Sequence, residues 1–443
     1  MIDNRIMNNV TPRRPQGFQE YLPAQQLQFD FMVEKIIEIY RLYGLMPINT
    51  PALELADVLL AKGGGETEKE IYRFSKGDKE YALRYDLTIP LARYVSEHKN
   101  DLILPFRRYQ IQKVWRAERP QKGRYREFVQ CDADIIGSSS MGHDAELIAM
   151  AADIFRSLKI GKFTIKINNR KILSGFIEEI GLSDKSEDIM HALDKIEKIG
   201  RDEVGKLLKG SGCGDDDANQ LLDFVSITGS NNTILDKLEG YKIKNKQFAE
   251  GISDLRQVLK YANELGADDS VCSLNLGIVR GLDYYTGTVY ETTLDDRPDF
   301  GSVCSGGRYD DLTKYFSKSK LPGVGISIGL SRLFAALLES GEMMPSQEPV
   351  EAFVANFGAG SREWALKISN DFRAAGIRTQ VDLDGDKPAK QFKYADRLKV
   401  PYTVVVGEIE AKNKLVQLKN MSSGQQEELA IDTAIIRIKN HES

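Results

Sequence analysis

Cysteine is scarce in this chain. The four residues, Cys131, Cys213, Cys272 and Cys304, lie far apart and form no C-x-x-C pair. This argues against a disulfide framework or a zinc knuckle and points to a reducing cytosol. Histidine is equally sparse. His98, His143, His191 and His441 show no H-E-x-x-H or comparable spacing, so no protein-bound metal is expected. No apolar run approaches the ~20 residues that span a bilayer. Met1 to Arg14 lacks the apolar core of a signal peptide, and Asp3 argues against an organellar presequence. A cytoplasmic protein is expected. There is no surplus of positive charge either: the formal net charge is -5. That argues against indiscriminate nucleic-acid binding but not against a local basic site. No G-x-x-x-x-G-K-[ST] occurs, which excludes a P-loop.

What is present describes a globular protein of two or three domains: 443 residues, 42% hydrophobic and 28% charged. Gln25 to Tyr43 has helical spacing and stops at Gly44. The prolines in Leu45 to Glu54 keep that segment extended. Ile71–Phe74 and Glu80–Arg84 read as hairpin strands around Gly77, followed by a helix from Leu87 to Glu97. Arg107–Arg116 and Phe128–Ile136 are strand candidates, Asp144–Leu158 an amphipathic helix and Phe163–Ile167 a strand. From about Lys171 to Leu265 the chain turns helical and rich in Lys, Glu and Asp. Strand patterning returns at Val271 to Leu276. A helical insertion in a domain built mainly on antiparallel strands follows from this order. A second break lies at Met343 to Pro349. Beyond it strands alternate with helices, which predicts a small α/β domain with a largely parallel sheet.

Three stretches could carry chemistry. Between Arg107 and Glu127 lie eight Lys/Arg (107, 108, 113, 116, 119, 122, 124 and 126) against two acidic residues. Apolar residues interleave the charges, as on a sheet with one buried face. A hairpin there could aim Arg116 and Arg124 at one polyphosphate. Gly323 to Leu333 is a small-residue strand running into a helix that carries Arg332, without the G-x-G-x-x-G spacing of a dinucleotide site. Val279 to Gly287 combines Arg280, Asp283, Tyr284, Tyr285 and two glycines, and suits either a ligand wall or a turn entering a strand. Gln130, Asp132 and Asp134 share one strand face at period two. They are either structural ion-pair partners or acceptors for a ligand's ammonium group. Asp86 is either a ligand group or the N-cap of the helix that follows it.

Together these segments resemble the class II aminoacyl-tRNA synthetases, and among them the histidyl-tRNA synthetase family. Tyr43–Gly44 through Glu54 resembles motif 1, Phe106 to Gly137 motif 2 and Gly325 to Leu333 motif 3. Arg280-Gly281-Leu282-Asp283-Tyr284-Tyr285 and Ser305-Gly306-Gly307-Arg308-Tyr309-Asp310 resemble the stretches specific to the histidine enzymes. The resemblance implies an α+β fold: a class II antiparallel core with a helical insertion, then a C-terminal α/β anticodon-binding domain. The implied limits are 1–170 and 266–345 for the core, 171–265 for the insertion and 350–443 for the last domain.

The resemblance also implies roles. Arg116 would hold the ATP α-phosphate, Arg124 and Arg332 the outer phosphates, and Glu118 the adenine edge. Asp86, Thr88 and Gln130 would receive the α-ammonium of histidine. Arg280 would sit between the substrate carboxylate and the α-phosphate. Asp134 and Tyr285 would grip the imidazole nitrogens. Some family members carry Glu where this chain has Asp86 and Asp134. Arg119 and Gln121, in the motif 2 loop, would approach the tRNA acceptor end. Magnesium would arrive with ATP, and a homodimer is implied. The implied activity is ATP-dependent ligation of histidine to its tRNA in protein biosynthesis. The alternative is a non-catalytic synthetase-like regulatory subunit of histidine biosynthesis. Those relatives typically lose the last domain and parts of the histidine-specific stretch, both of which are present here. A synthetase-like sensor fused to a kinase is excluded, since no kinase segment exists.

Overall fold

The computed structural model describes residues 11–61, 66–279, 285–316, 320–341 and 349–440. Chain contacts divide the protein into two compact units, Met1–Met344 and Pro345–Ser443. In chain order the first unit contains β1 (Met46–Pro47), β2 (Leu53–Leu55), β3 (Arg73–Lys76), β4 (Lys79–Leu83), β5 (Phe106–Trp115) and β6 (Glu127–Ile136). Then come β7 (Phe163–Asn169), β8 (Cys272–Leu274), β9 (Thr288–Leu294), β10 (Ser302–Tyr309) and β11 (Gly323–Gly329). Eight of these form one sheet in the order β1-β5-β6-β11-β10-β9-β7-β8. The pairings from β5 through to β7 are antiparallel, while β1 and β8 add parallel pairs at the edges.

Alternation along β6 gives the sheet its two faces. Cys131, Ala133 and Ile135 are fully buried on the back, in the core that the helix Met141–Ser157 covers along β11, β10 and β7 and the helix Lys246–Glu264 along β9 and β7. Gln130, Asp132 and Asp134 occupy the front. The helix Pro23–Leu42 reaches the same back core through Phe29, Met32, Ile36 and Tyr40, spaced three and four apart. Helices run from Arg170 to Glu264, and their apolar residues join that core rather than forming a separate one. On the front face, the sheet β2-β4-β3 and the helix Thr88–Glu97 enclose a smaller cluster with Tyr85, Ile89 and Tyr309.

The second unit holds β12 (Ala352–Asn356), β13 (Thr379–Val381), β14 (Tyr402–Val406), β15 (Leu415–Asn420) and β16 (Gln426–Ala430), ordered β13-β12-β14-β15-β16. Its pairings β12–β13 and β12–β14 are parallel, and β14–β15 and β15–β16 are antiparallel. The sheet is therefore mixed, not largely parallel as the alternation of elements predicts. The departure comes from the last two strands: β15 returns antiparallel to β14 after only the short helix Glu408–Asn413, and β16, whose QEELA sequence lacks the apolar alternation of a strand and stays largely exposed, pairs antiparallel with β15. Helices Arg362–Ala374 and Ile431–Lys439 cover one face, and Pro388–Arg397 packs on the other. Among the described residues of both units, no helix is long and apolar enough to cross a membrane.

Candidate active site

Three adjacent strands place a polar row on the front of the large sheet. Arg108, Gln110 and Gln112 on β5 lie opposite Asp134, Asp132 and Gln130 on β6. Across β6 these face Gly325, Ser327 and Gly329 on β11. Arg108 is wholly buried, and its Nη2 meets Asp134 Oδ2 at 2.6 Å. The Tyr309 hydroxyl donates to Asp134 Oδ1. Burial pushes the Asp134 carboxyl upward, while Arg108 and the Tyr309 hydroxyl pull it back. Tyr309 lies on β10, one strand beyond β11. It reaches Asp134 because the intervening positions are glycines, and its ring lies over Gly323. A Cβ at Gly325 would collide with the Asp134 carboxylate.

Asp86 ends the approach to the helix Thr88–Glu97. Its Oδ1 accepts from the Ile89 amide at 3.1 Å, so one oxygen serves the first helical turn. Its Oδ2 is buried and has no hydrogen-bond partner among the described residues. The capping and ligand readings are therefore both available, one to each oxygen. Burial raises this carboxyl to about 6, against the lowering effects of the Ile89 amide and Arg116. Thr88 is half-buried at the start of the helix. Gln130 donates from Nε2 to Ser327 Oγ at 2.6 Å, and its buried Oε1 has no partner among the described residues.

The arginines collect at the open end of the β5–β6 hairpin. Arg116 donates from Nε to the Tyr85 carbonyl at 3.0 Å, one residue from Asp86, and stacks over the Phe128 ring. Arg124 Nη1 lies 3.5 Å from Glu118 Oε2. Arg332, in the helix Leu330–Ser340, donates to the carbonyls of Ser302 at 2.7 Å and Gly123 at 3.4 Å. That holds it beside the hairpin loop, one residue from Arg124. Arg119 and Gln121 are exposed, and Gln121 pairs its backbone with Arg124 across the tight turn at Gly123. Lys122 folds this loop back by pairing with Asp299 at 2.5 Å and Glu339 at 2.6 Å.

Tyr285 is half-buried, packs against the front cluster and lies beside Gly307. It precedes β9 rather than lying in a strand. Arg280 and Tyr284 lie outside the described residues. Asp86, Gln130 and Asp134 thus share the sheet front or its border, and Arg116, Arg124 and Arg332 gather at its open end. Sequence reasoning missed Arg108 and Tyr309 as partners of Asp134. The available signal was the alternation Arg108-Gln110-Gln112 against Tyr109 and Ile111, which already marks one polar face. Arg308 serves the back of the sheet, where it pairs with buried Asp144 and donates to the carbonyls of Ser138 and Ser140.

Comparison with known proteins shows the family. The family model described as histidyl-tRNA synthetase matches residues 17–333, and one described as anticodon binding domain matches 351–441. The chain is 47% identical to the histidine–tRNA ligase of Clostridium tetani (strain Massachusetts / E88), covering 97% of this chain and 99% of that one. The crystal structure of histidyl-tRNA synthetase from Nostoc sp. PCC 7120 superposes with a TM-score of 0.88 at 38% identity, over 98% of this chain and 100% of that one. A Bacillus halodurans C structure titled as an ATP phosphoribosyltransferase regulatory subunit/histidyl-tRNA synthetase superposes at 0.76 with 20% identity, over 89% and 98% of the two chains, a likeness of fold alone. This chain belongs to the histidyl-tRNA synthetase family.

Proposed function

We propose that the chain ligates L-histidine to histidine tRNA in two steps. The histidine carboxylate attacks the α-phosphorus of ATP, and the bond to the β-phosphate breaks, giving histidyl-adenylate and pyrophosphate. A hydroxyl of the terminal tRNA ribose then attacks the activated carbonyl and releases AMP. The observation that carries this reading is the pairing of two opposite surfaces. The buried acceptors Asp86 Oδ2 and Gln130 Oε1 have no partner among the described residues, and Arg116 donates to the carbonyl just before Asp86, with Arg124 and Arg332 at the same end of the sheet. A zwitterion meeting a polyphosphate needs that division: acceptors for its ammonium, cations where two anions are forced together.

Arg116 would hold the α-phosphate, and Arg124 and Arg332 the outer phosphates of magnesium-bound ATP. Glu118 would meet the adenine edge. Asp86, Thr88 and Gln130 would take the α-ammonium, and Asp134 and Tyr285 the ring nitrogens. A carboxylate has about four lone-pair sites, so Asp134 can accept from the ring while held by Arg108 and Tyr309. Rejecting other amino acids follows, because a ligand lacking ring N–H groups leaves these buried polar atoms unpaired. Arg280 takes its place between the substrate carboxylate and the α-phosphate by resemblance. The reading extends to a cytoplasmic homodimer joined through the motif 1 segment. It divides the chain into a core at 1–170 and 266–345, a helical region at 171–265 that clamps the acceptor stem, and an anticodon-binding domain at 350–443. Arg119 and Gln121 are exposed in the hairpin loop, where the acceptor end would approach.

The test is ATP–pyrophosphate exchange by the purified protein. Exchange is expected with histidine and not with the other amino acids. Exchange that is absent, or indifferent to the amino acid, would leave the regulatory-subunit reading in place. The match of 351–441 to an anticodon-binding model and the assembled arginines favour the ligase.

A further inference from the structure

Asp132 has no role in the scheme above, yet its position on the front face makes one. It lies between Gln130 and Asp134 along β6 and is 2% exposed. Its register neighbours are Gln110 on β5 and Ser327 on β11, both uncharged. Asp134 by contrast has Arg108 against it. Asp132 Oδ1 is buried with no hydrogen-bond partner among the described residues.

Ser327 stands between Asp132 and Gln130. Its Oγ accepts from Gln130 Nε2 at 2.6 Å, which orients that side chain, and the same hydroxyl is near enough to the Asp132 carboxyl to favour its charged form. Gln130 Oε1 and Asp132 Oδ1 are both buried without a partner among the described residues, on the same face of the sheet. Asp86 Oδ2 is the third such oxygen. An ammonium group has three N–H donors, and three buried acceptors stand unmatched here. Leaving a buried acceptor unpaired is costly, which is the physical reason to expect a ligand donor at each. Thr88 is only half-buried and can keep water as its partner, so Asp132 takes the place that the scheme above gives to Thr88.

We propose that Asp132 is a substrate-binding residue that accepts from the α-ammonium of histidine together with Asp86 and Gln130; this deepens the ligase reading and rests on it. Burial raises the Asp132 carboxyl to about 7, with Asp134 and Asp86 adding to the rise and Arg108 and Ser327 opposing it. An arriving ammonium would favour the ionised form.

The test compares wild type with Asp132→Asn, which keeps the shape and removes the charge. In ATP–pyrophosphate exchange, KM for histidine should rise about tenfold or more, the worth of a charge-assisted hydrogen bond, with KM for ATP little changed. Calorimetric titration then uses two probes that need no turnover. Histidinol keeps the ammonium and ring but lacks the carboxylate, while imidazolepropionate keeps the ring and carboxylate but lacks the ammonium. The variant should bind histidinol more weakly by the same factor and imidazolepropionate as wild type does. Equal weakening of both probes would place Asp132 at the ring or in the fold, and no weakening of either would remove it from the site. Each result overturns the proposal, as does a wild type that binds neither probe. Absence of wild-type exchange with the histidinol difference intact would instead count against the ligase reading. A lower melting temperature in Asp132→Asn with unchanged histidinol affinity would make the residue structural and also overturn the assignment.

Discussion

Asp86 and Asp132 hold their protons more tightly in the folded chain than an exposed carboxyl would, at about 6 and about 7. The cause in both is burial, only partly countered by amides, hydroxyls and arginines. Between the ordinary carboxylate range and these values the folded chain binds more protons than the unfolded one. Stability of the ligand-free protein therefore falls as pH rises through that window. For Asp132 the full effect is on the order of a few kcal/mol, at about 1.4 kcal/mol per pKa unit. Asp132→Asn removes that dependence. Melting temperatures of the two proteins should agree near pH 4 and separate towards pH 8, with the variant the more stable. Parallel melting curves across that range would show that the Asp132 carboxyl is not titrating as its burial requires. A buried carboxyl with an unpartnered oxygen, kept at such a cost, fits a role in receiving a cation.

The strand glycines act one level up, by deciding which side chains can meet. Gly323 and Gly325 on β11 open a gap through which Tyr309 on β10 reaches Asp134 on β6. In Gly325→Ala the new methyl would strike the Asp134 carboxylate and press on the Ala133 carbonyl. Overpacking of this kind costs about 1–3 kcal/mol. The expected result is a lower melting temperature and a raised histidine KM, with the KM for ATP nearly unchanged because the arginines lie at the other end of β6. An ATP KM that rises as much as that for histidine would mean a general loss of sheet geometry. This arrangement also marks how far the sequence could be read. Period-two alternation was enough to put Gln130, Asp132 and Asp134 on one face, because it follows from the pleat alone. The hairpin β5–β6 was legible for the same reason. The pairing of Arg108 with Asp134 was not, since it depends on register across a long loop that no local signal fixes. The Tyr309 contact was further out of reach, because it crosses a strand that is absent from the local sequence of either partner. Strand β16 was missed because an exposed polar edge carries no apolar pattern.

At the scale of the whole molecule, each unit has its own apolar cores. Those of the first unit lie within Phe29 to Leu337, and those of the second within Val350 to Ile438. The helices from Arg170 to Glu264 share the core of the large sheet, so deleting them would strip packing from the back of the site. The polar row is built from β5, β6 and β11, all strands of the first unit. A chain ending at residue 344 should therefore fold and retain histidine-dependent ATP–pyrophosphate exchange close to that of the full chain. Charging of histidine tRNA should respond quite differently if the second unit holds the anticodon. Two linked binding modules raise the affinity for a ligand that spans both, and losing one forfeits about 100-fold or more. Aminoacylation kcat/KM for tRNA should fall by that order while exchange persists. Equal charging by the truncated and full chains would remove the second unit from tRNA binding. Loss of exchange together with the fold would show that the two units depend on each other for stability, which their separate cores argue against.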